Sequence, residues 1–229
     1  MFVPLGDQNP IKRIRYQYVT LLLILANVLA YVLEAASGSE PALIASFAVI
    51  PGEFFQALGA GAATGASDAI AIPEIATLLS YMFLHGDFIH LGGNMLFLWV
   101  FGDNVEDAMG HMRFFIFYLV CGVIAGLTHA LMLPGSLDAL IGASGAVSGV
   151  VVAYLMLHPR VRVWVLAFKV LPLNITAAWA LGLWIVFQLT MVIIPQVGPT
   201  AWWAHIGGLI AGALLTPLMK NREVPLFGR

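Results

Sequence analysis

Residues 201–219 read AWWAHIGGLIAGALLTPLM, an apolar run without Asp, Glu, Lys or Arg and with a single histidine, His205, near its start. About twenty such residues cross a hydrocarbon core as a helix, and a helix satisfies its own backbone there. Ala204, Gly208 and Gly212 recur at every fourth position, a ridge of small side chains that admits a second helix at close range. The run therefore reads as a membrane span with a packing face and a buried ionisable group. The whole chain agrees on the solvent. Of 229 residues 61% are hydrophobic and only 10% charged, and the mean hydropathy is +0.94. That is too little charge to cover a soluble domain of this size.

The length criterion gives six spans, at about 16–36, 88–104, 111–133, 143–158, 173–194 and 201–219. The expected fold is an all-α membrane protein, a six-transmembrane-helix bundle with a long first outer loop at 37–87. An N-terminal segment 1–15 precedes the membrane domain 16–219, and a tail 220–229 follows it. Lys12, Arg13 and Arg15 lie before span one, Arg113 between two and three, Arg160, Arg162 and Lys169 between four and five, and Lys220, Arg222 and Arg229 after six. The other three loops have no basic residue, so the positive-inside rule puts both termini in the cytoplasm. The expected location is a bacterial inner membrane, as an integral multi-pass protein. The basic cluster before span one has no convincing cleavage site after it, so that span reads as a retained anchor.

A net charge of −2 without blocks of like charge gives no reason to expect nucleic acid as a partner. Cys121, the one cysteine, lies in an apolar run and reads as a small buried hydrophobe. In the outer loop, GAGAATGAS at 59–67 looks flexible. Ile75, Leu78, Leu79, Met82 and Phe83 follow a helical period, which predicts an interfacial helix lying on the outer leaflet.

Polar groups inside spans are expensive unless paired or functional. Ser144 in Gly142-Ala143-Ser144-Gly145 opens span four, His205 stands near the start of span six, and His90 and Asn94 near the start of span two. All three spans run inward, so these residues share a shallow depth below the outer surface. A lone serine in a span usually bonds back to its own helix, and a lone Asn bridges two helices. Four polar groups at one depth are better explained as a site. Gly145 and Gly149 form a ridge that can meet that of Ala204, Gly208 and Gly212, bringing Ser144 within reach of His205. The chemistry is then acyl transfer by a Ser-His dyad, with no acid in the outer half of the relevant spans to complete a triad. His90 and Asn94 share one helical face and both can donate to an oxyanion; the plainer alternative is that they tie the outer loop down. His85 and His90 are five apart and no H-E-x-x-H motif exists, so no metal and no cofactor is expected.

His85, the H-x-x-x-N of His90 to Asn94, the spacing of Gly102, Glu106 and Gly110, G-x-S-G at 142–145 and A-H-x-x-G at 204–208 together resemble the rhomboid family of intramembrane serine proteases. The resemblance covers about residues 78–215. It implies Ser144 and His205 as the dyad, and His90, Asn94 and the backbone N–H of Ser144 as oxyanion donors. It also implies transmembrane proteins as substrates, cut in the lipid bilayer near the outer ends of their helices. Two departures stand out. The first outer loop lacks the Trp-Arg pair common in the family, and Ser148 stands where many members have an aromatic to stack on the histidine, leaving Trp202 or Trp203 to support His205. The rival reading is a catalytically inactive rhomboid-like protein that binds membrane helices. A channel would need polar groups continuing inward, and the inner halves of the spans have few.

Overall fold

The computed structural model describes residues 2–59, 70, 72–167, 170–194 and 200–228. A strand β1 (Phe2–Asp7) precedes helices α1 (Tyr18–Ala36), α2 (Glu40–Phe47), α3 (Pro51–Ala57) and α4 (Glu74–Ser80), the last followed by a 3-10 turn, Tyr81–Phe83. Then come α5 (Phe88–Met109), α6 (His111–Met132), α7 (Ser144–Leu157), strands β2 (Arg162–Ala167) and β3 (Leu171–Thr176), α8 (Ala177–Ile193) and α9 (Trp202–Met219). The chain is mostly helical. By length and composition α1, α6 and α9 are long and apolar enough to cross a membrane, while α7 and α8 are shorter apolar helices. From residue 60 on, the stretch read as flexible lies outside the described residues, as do Asp68 and Lys169.

The expectation of an all-α chain is corrected by an antiparallel sheet in the order β1-β2-β3. Arg162 pairs with Thr176 and Ala167 with Leu171. Phe2 pairs with Ala167 and Asp7 with Val163, with a bulge between Pro4 and Gly6. The cause is the alternation in RVWVLA: Val163 and Val165 are buried while Arg162 and Trp164 face out, the period of a half-buried strand. Residues 173–176 thus belong to a strand, the helix of the expected fifth span, α8, starts only at Ala177, and the N-terminal segment supplies one edge strand.

The segment before α5 also differs from expectation. It does not simply lie on a leaflet: Leu78, Tyr81 and Met82 are buried, while Ile75 and Leu79 face out. Two glycines of α6 make room for it. A Cβ on Gly122 would strike the Met82 Sδ at 1.8 Å, and one on Gly126 would lie 3.1 Å from the Tyr81 ring. The Tyr81 hydroxyl donates to the Gly122 carbonyl at 2.8 Å. The loop, lacking Trp and Arg, docks instead through the backbone pair Val49–Leu140 and through Ser80 Oγ donating to the Phe47 carbonyl.

The C-terminal end of α5 anchors α1. Glu106 is fully buried and accepts from the Val19 N–H at 3.0 Å, the Thr20 N–H at 2.8 Å and the Thr20 hydroxyl at 2.7 Å. It thereby caps a helix whose own N-cap, Gln17, makes no side-chain bond, and its charge favours the positive end of the α1 dipole. Next to it, Asp107 Oδ1 accepts from three successive amides, Lys12, Arg13 and Ile14. The spacing of Gly102, Glu106 and Gly110 now has a physical account. A Cβ on Gly102 would press on Thr20 at 3.2 Å, and Gly110, at φ +83, turns the chain out of α5 as other residues rarely can.

At the centre α7 and α9 meet backbone to backbone. A Cβ on Gly208 would sit 1.9 Å from the Gly145 carbonyl oxygen, and one on Gly212 2.5 Å from that of Gly149. α6 closes the third side, with the buried Cys121 against Gly149 and Thr128 against Gly207. No side chain fits at Gly208, whereas a Cβ on Gly182 of α8 meets nothing within 4 Å. Gly208→Ala is therefore expected to lower the thermal unfolding midpoint in detergent, overpacking of this kind costing about 1–3 kcal/mol or more. Gly182→Ala should leave the midpoint unchanged or raise it slightly. Equal midpoints for the two variants would show that α7 and α9 do not pack along these glycines.

Candidate active site

Ser144 is the first residue of α7, where helical N–H groups lack intrahelical acceptors and the dipole is positive. The chain reaches it through Gly142, at φ +111, whose N–H donates to the Tyr81 carbonyl at 2.9 Å. His205 lies in the first turn of α9 and is 9% exposed. Its Nε2 is 2.8 Å from Ser144 Oγ, so the close crossing of α7 and α9 carries through to the side chains.

The imidazole is held from several sides. Its Nδ1 is 2.8 Å from Oε1 of Gln188 on α8. Trp184 stacks on it with centroids 6.4 Å apart, and Trp202 meets it edge-on at 5.8 Å. Trp202 thus touches the ring, as expected for one of the two tryptophans at 202 and 203. Ser148, which takes the place of a stacking aromatic, donates instead to the Ser144 carbonyl at 2.7 Å.

His90 and Asn94 project from α5 toward the turn before Ser144. A Cβ on Gly142 would lie 2.6 Å from His90 Nε2 and 3.7 Å from Asn94 Nδ2, so a side chain at 142 would fill the space both face. Asp87 caps α5 by accepting from the His90 N–H at 2.8 Å. His85, fully buried, meets the His90 ring edge-on at 5.0 Å. Burial, reinforced by the neighbouring His90, pushes the His85 imidazole down to about 4, so it packs as a neutral ring at neutral pH. Asn94 is 7% exposed and its Nδ2 has no hydrogen-bond partner among the described residues. An orphaned amide donor in a buried place costs about 1–3 kcal/mol, and here it faces the approach to Ser144.

All four residues singled out in the sequence, Ser144, His205, His90 and Asn94, come together at one end of α5, α7 and α9. Two contributors went unread, Gln188 and Trp184. Gln188 is a lone amide in the apolar run LWIVFQLTMV, a signal as legible as that of His205. No acid accompanies it, so nothing in the sequence marks it as the partner of His205.

Among known proteins, "RHOMBOID-like protein 5" of Arabidopsis thaliana is 33% identical over 151 residues, 66% of this chain and 45% of that protein. "Rhomboid protein 1, mitochondrial" of Saccharomyces cerevisiae is 31% identical over 149 residues, 60% of this chain and 40% of that protein. "Rhomboid-type serine protease 2" of Emericella nidulans is 30% identical over 142 residues, 58% of this chain and 25% of that protein. The chain thus spans less than half the length of these relatives. The model of the Rhomboid domain matches residues 73–222, a range that contains Ser144, His205, His90 and Asn94, and with well over half of the sequence inside that match the chain belongs to the rhomboid family.

Proposed function

We propose that the chain is an intramembrane serine endopeptidase that cuts other membrane proteins near the outer ends of their transmembrane helices. The observation that carries this reading is the 2.8 Å approach of His205 Nε2 to Ser144 Oγ across a glycine interface. His205 takes the hydroxyl proton as Ser144 Oγ attacks the scissile carbonyl. The resulting oxyanion is met by the backbone N–H of Ser144, by Asn94 Nδ2 and by His90. The tetrahedral adduct collapses as His205 returns the proton to the leaving amine, and water then hydrolyses the acyl-enzyme by the same exchange. A helical substrate must unwind locally, because its carbonyls are otherwise engaged in the i to i+4 ladder. An inactive helix-binding relative, the alternative, has no use for the serine–histidine contact. One relative's name includes the words serine protease, which also favours the enzymatic reading.

The proposal includes the six-span bundle, with residues 16–219 as its membrane domain and both termini on the non-translocated side. Segregation of Lys and Arg supports it, and so does the pairing of β1 with β2. The N-terminal segment and the segment between α7 and α8 can share a sheet only if they lie on one side of the membrane. Four helices, α1, α5, α6 and α7, separate them, an even number of crossings. The relatives are plant and fungal proteins, one mitochondrial by name, and give the expected bacterial location no support.

Ser144→Ala and His205→Ala are each expected to abolish cleavage of a single-span substrate in reconstituted vesicles while inserting normally, since losing one member of such a unit costs several decades. Residual turnover above about a tenth of wild type in the serine variant would reject the nucleophile assignment. His90→Ala and Asn94→Ala should each lower kcat about 10- to 100-fold with KM nearly unchanged, somewhat less than the loss of a sole oxyanion donor. If both instead keep kcat and lose thermal stability, they only tie the outer loop to the helices. For topology, Ser136→Cys is expected to react with an impermeant maleimide from the outer face alone; labelling from the cytoplasmic side only would overturn the orientation.

A further inference from the structure

We propose that Gln188 is the positioning residue of His205: its side-chain carbonyl holds the imidazole in the tautomer whose Nε2 is free to take a proton from Ser144. This rests on the serine–histidine reading above and adds to it a residue on a fourth helix.

Gln188 is 3% exposed on α8, and its Oε1 lies 2.8 Å from His205 Nδ1. An amide oxygen accepts and never donates, so Nδ1 must hold the ring hydrogen. In the neutral imidazole that leaves Nε2 as a bare lone pair, 2.8 Å from Ser144 Oγ, the state a general base needs. If the amide were turned over, its NH2 would donate to Nδ1, the ring hydrogen would move to Nε2, and the base would face the serine with a donor. The orientation of one buried amide thus decides whether the base is armed.

The surroundings explain why an amide serves. The other titratable groups facing His205 are His90 from α5 and His129 from α6; Trp184 and Trp202 cover the ring. No carboxylate contributes to this environment among the described residues. A buried carboxylate in an apolar span is costly, whereas a neutral amide fixes the tautomer at far smaller desolvation cost. What it gives up is charge stabilisation of the imidazolium, so its work is orientation. α7, α8 and α9 must therefore all be in place for the base to function, although α8 itself makes no other part of the dyad.

The test uses the full chain in detergent or vesicles and compares wild type, Ser144→Ala, Gln188→Met and Gln188→Glu. Met keeps the volume and cannot hold the Nδ1 hydrogen; Glu accepts as Gln does but adds charge. In serine proteases whose histidine is oriented by an acid, the wrong tautomer costs about 10⁴-fold in kcat. With a neutral partner removed rather than reversed, Gln188→Met is expected to lose at least about tenfold in kcat, with KM within about twofold. Gln188→Glu should stay active with the acid limb of its kcat profile moved up by about one pH unit, because a carboxylate favours the imidazolium.

Wild-type kcat and pH profile in Gln188→Met, while Ser144→Ala is inactive, would overturn the inference and leave the dyad standing. Should the Met variant fail to fold, an unshifted acid limb in Gln188→Glu overturns it equally. If Ser144→Ala keeps its activity, the dyad reading fails instead. The ¹⁵N shifts of His205 then decide the role of Gln188 without reference to activity. Hydrogen on Nδ1 in wild type and a tautomer mixture in Gln188→Met supports the inference; hydrogen on Nε2 in wild type overturns it.

Discussion

The contact of α7 with α9 is the constraint from which the rest of the architecture follows. Lipid offers no hydrophobic drive between two apolar helices, so their association depends on close packing. Here packing is as close as backbones permit, because Gly145, Gly149, Gly208 and Gly212 present no side chain to the carbonyls opposite. Ser144 is one residue from one ridge and His205 one residue from the other. The distance between hydroxyl and imidazole is thereby set by main chain, whose positions vary far less than those of long side chains. α6 closes the core with Cys121 and Thr128, and the remaining helices are arranged around this unit.

The buried polar groups divide into two kinds according to whether their bonding is complete. Glu106 has donors from the start of α1, together with a short contact of 2.5 Å to His111 Nδ1; its role is to fix α1 against α5. Asn94 Nδ2 has no partner among the described residues, although burial makes such a deficit expensive. At the C-terminal end of α5 satisfaction produces rigidity. Near its N-terminal end an unspent donor is held next to Gly142 and the first turn of α7, where the dipole and free amides already favour negative charge. The same helix carries satisfied polar groups at one end and an unsatisfied one at the other.

The mostly helical character, and the four polar residues that meet at one end of α5, α7 and α9, were legible because both rest on short-range signals: apolar runs, and polar atoms where lipid makes them costly. The sheet was not. Its period-2 alternation in RVWVLA was overshadowed by Arg160, Arg162 and Lys169, which mark the segment as an inner loop, and its third strand comes from residues 2–7, a pairing no local pattern announces. α4 was half legible: the helical period was correct, but which face would be buried depended on Gly122 and Gly126 of a helix some forty residues away. Gln188 was not legible as a partner of His205, because its 2.8 Å contact comes from a different helix and a neutral amide carries no charge to single it out.

The sheet also has a temporal meaning. Strand β1 lies at residues 2–7, yet its partner, β2, lies at 162–167, so β1 must wait while everything between them is made. During that interval the N-terminal segment has unpaired strand hydrogen bonds and an apolar residue, Phe2, whose ring packs against Phe97 only in the finished fold. Closure of this pairing therefore acts as a late clasp, joining β1 to the hairpin that leads into α8. β3 leads directly into α8, the helix that carries Gln188 and Trp184, so the clasp holds the strand pair from which that helix starts.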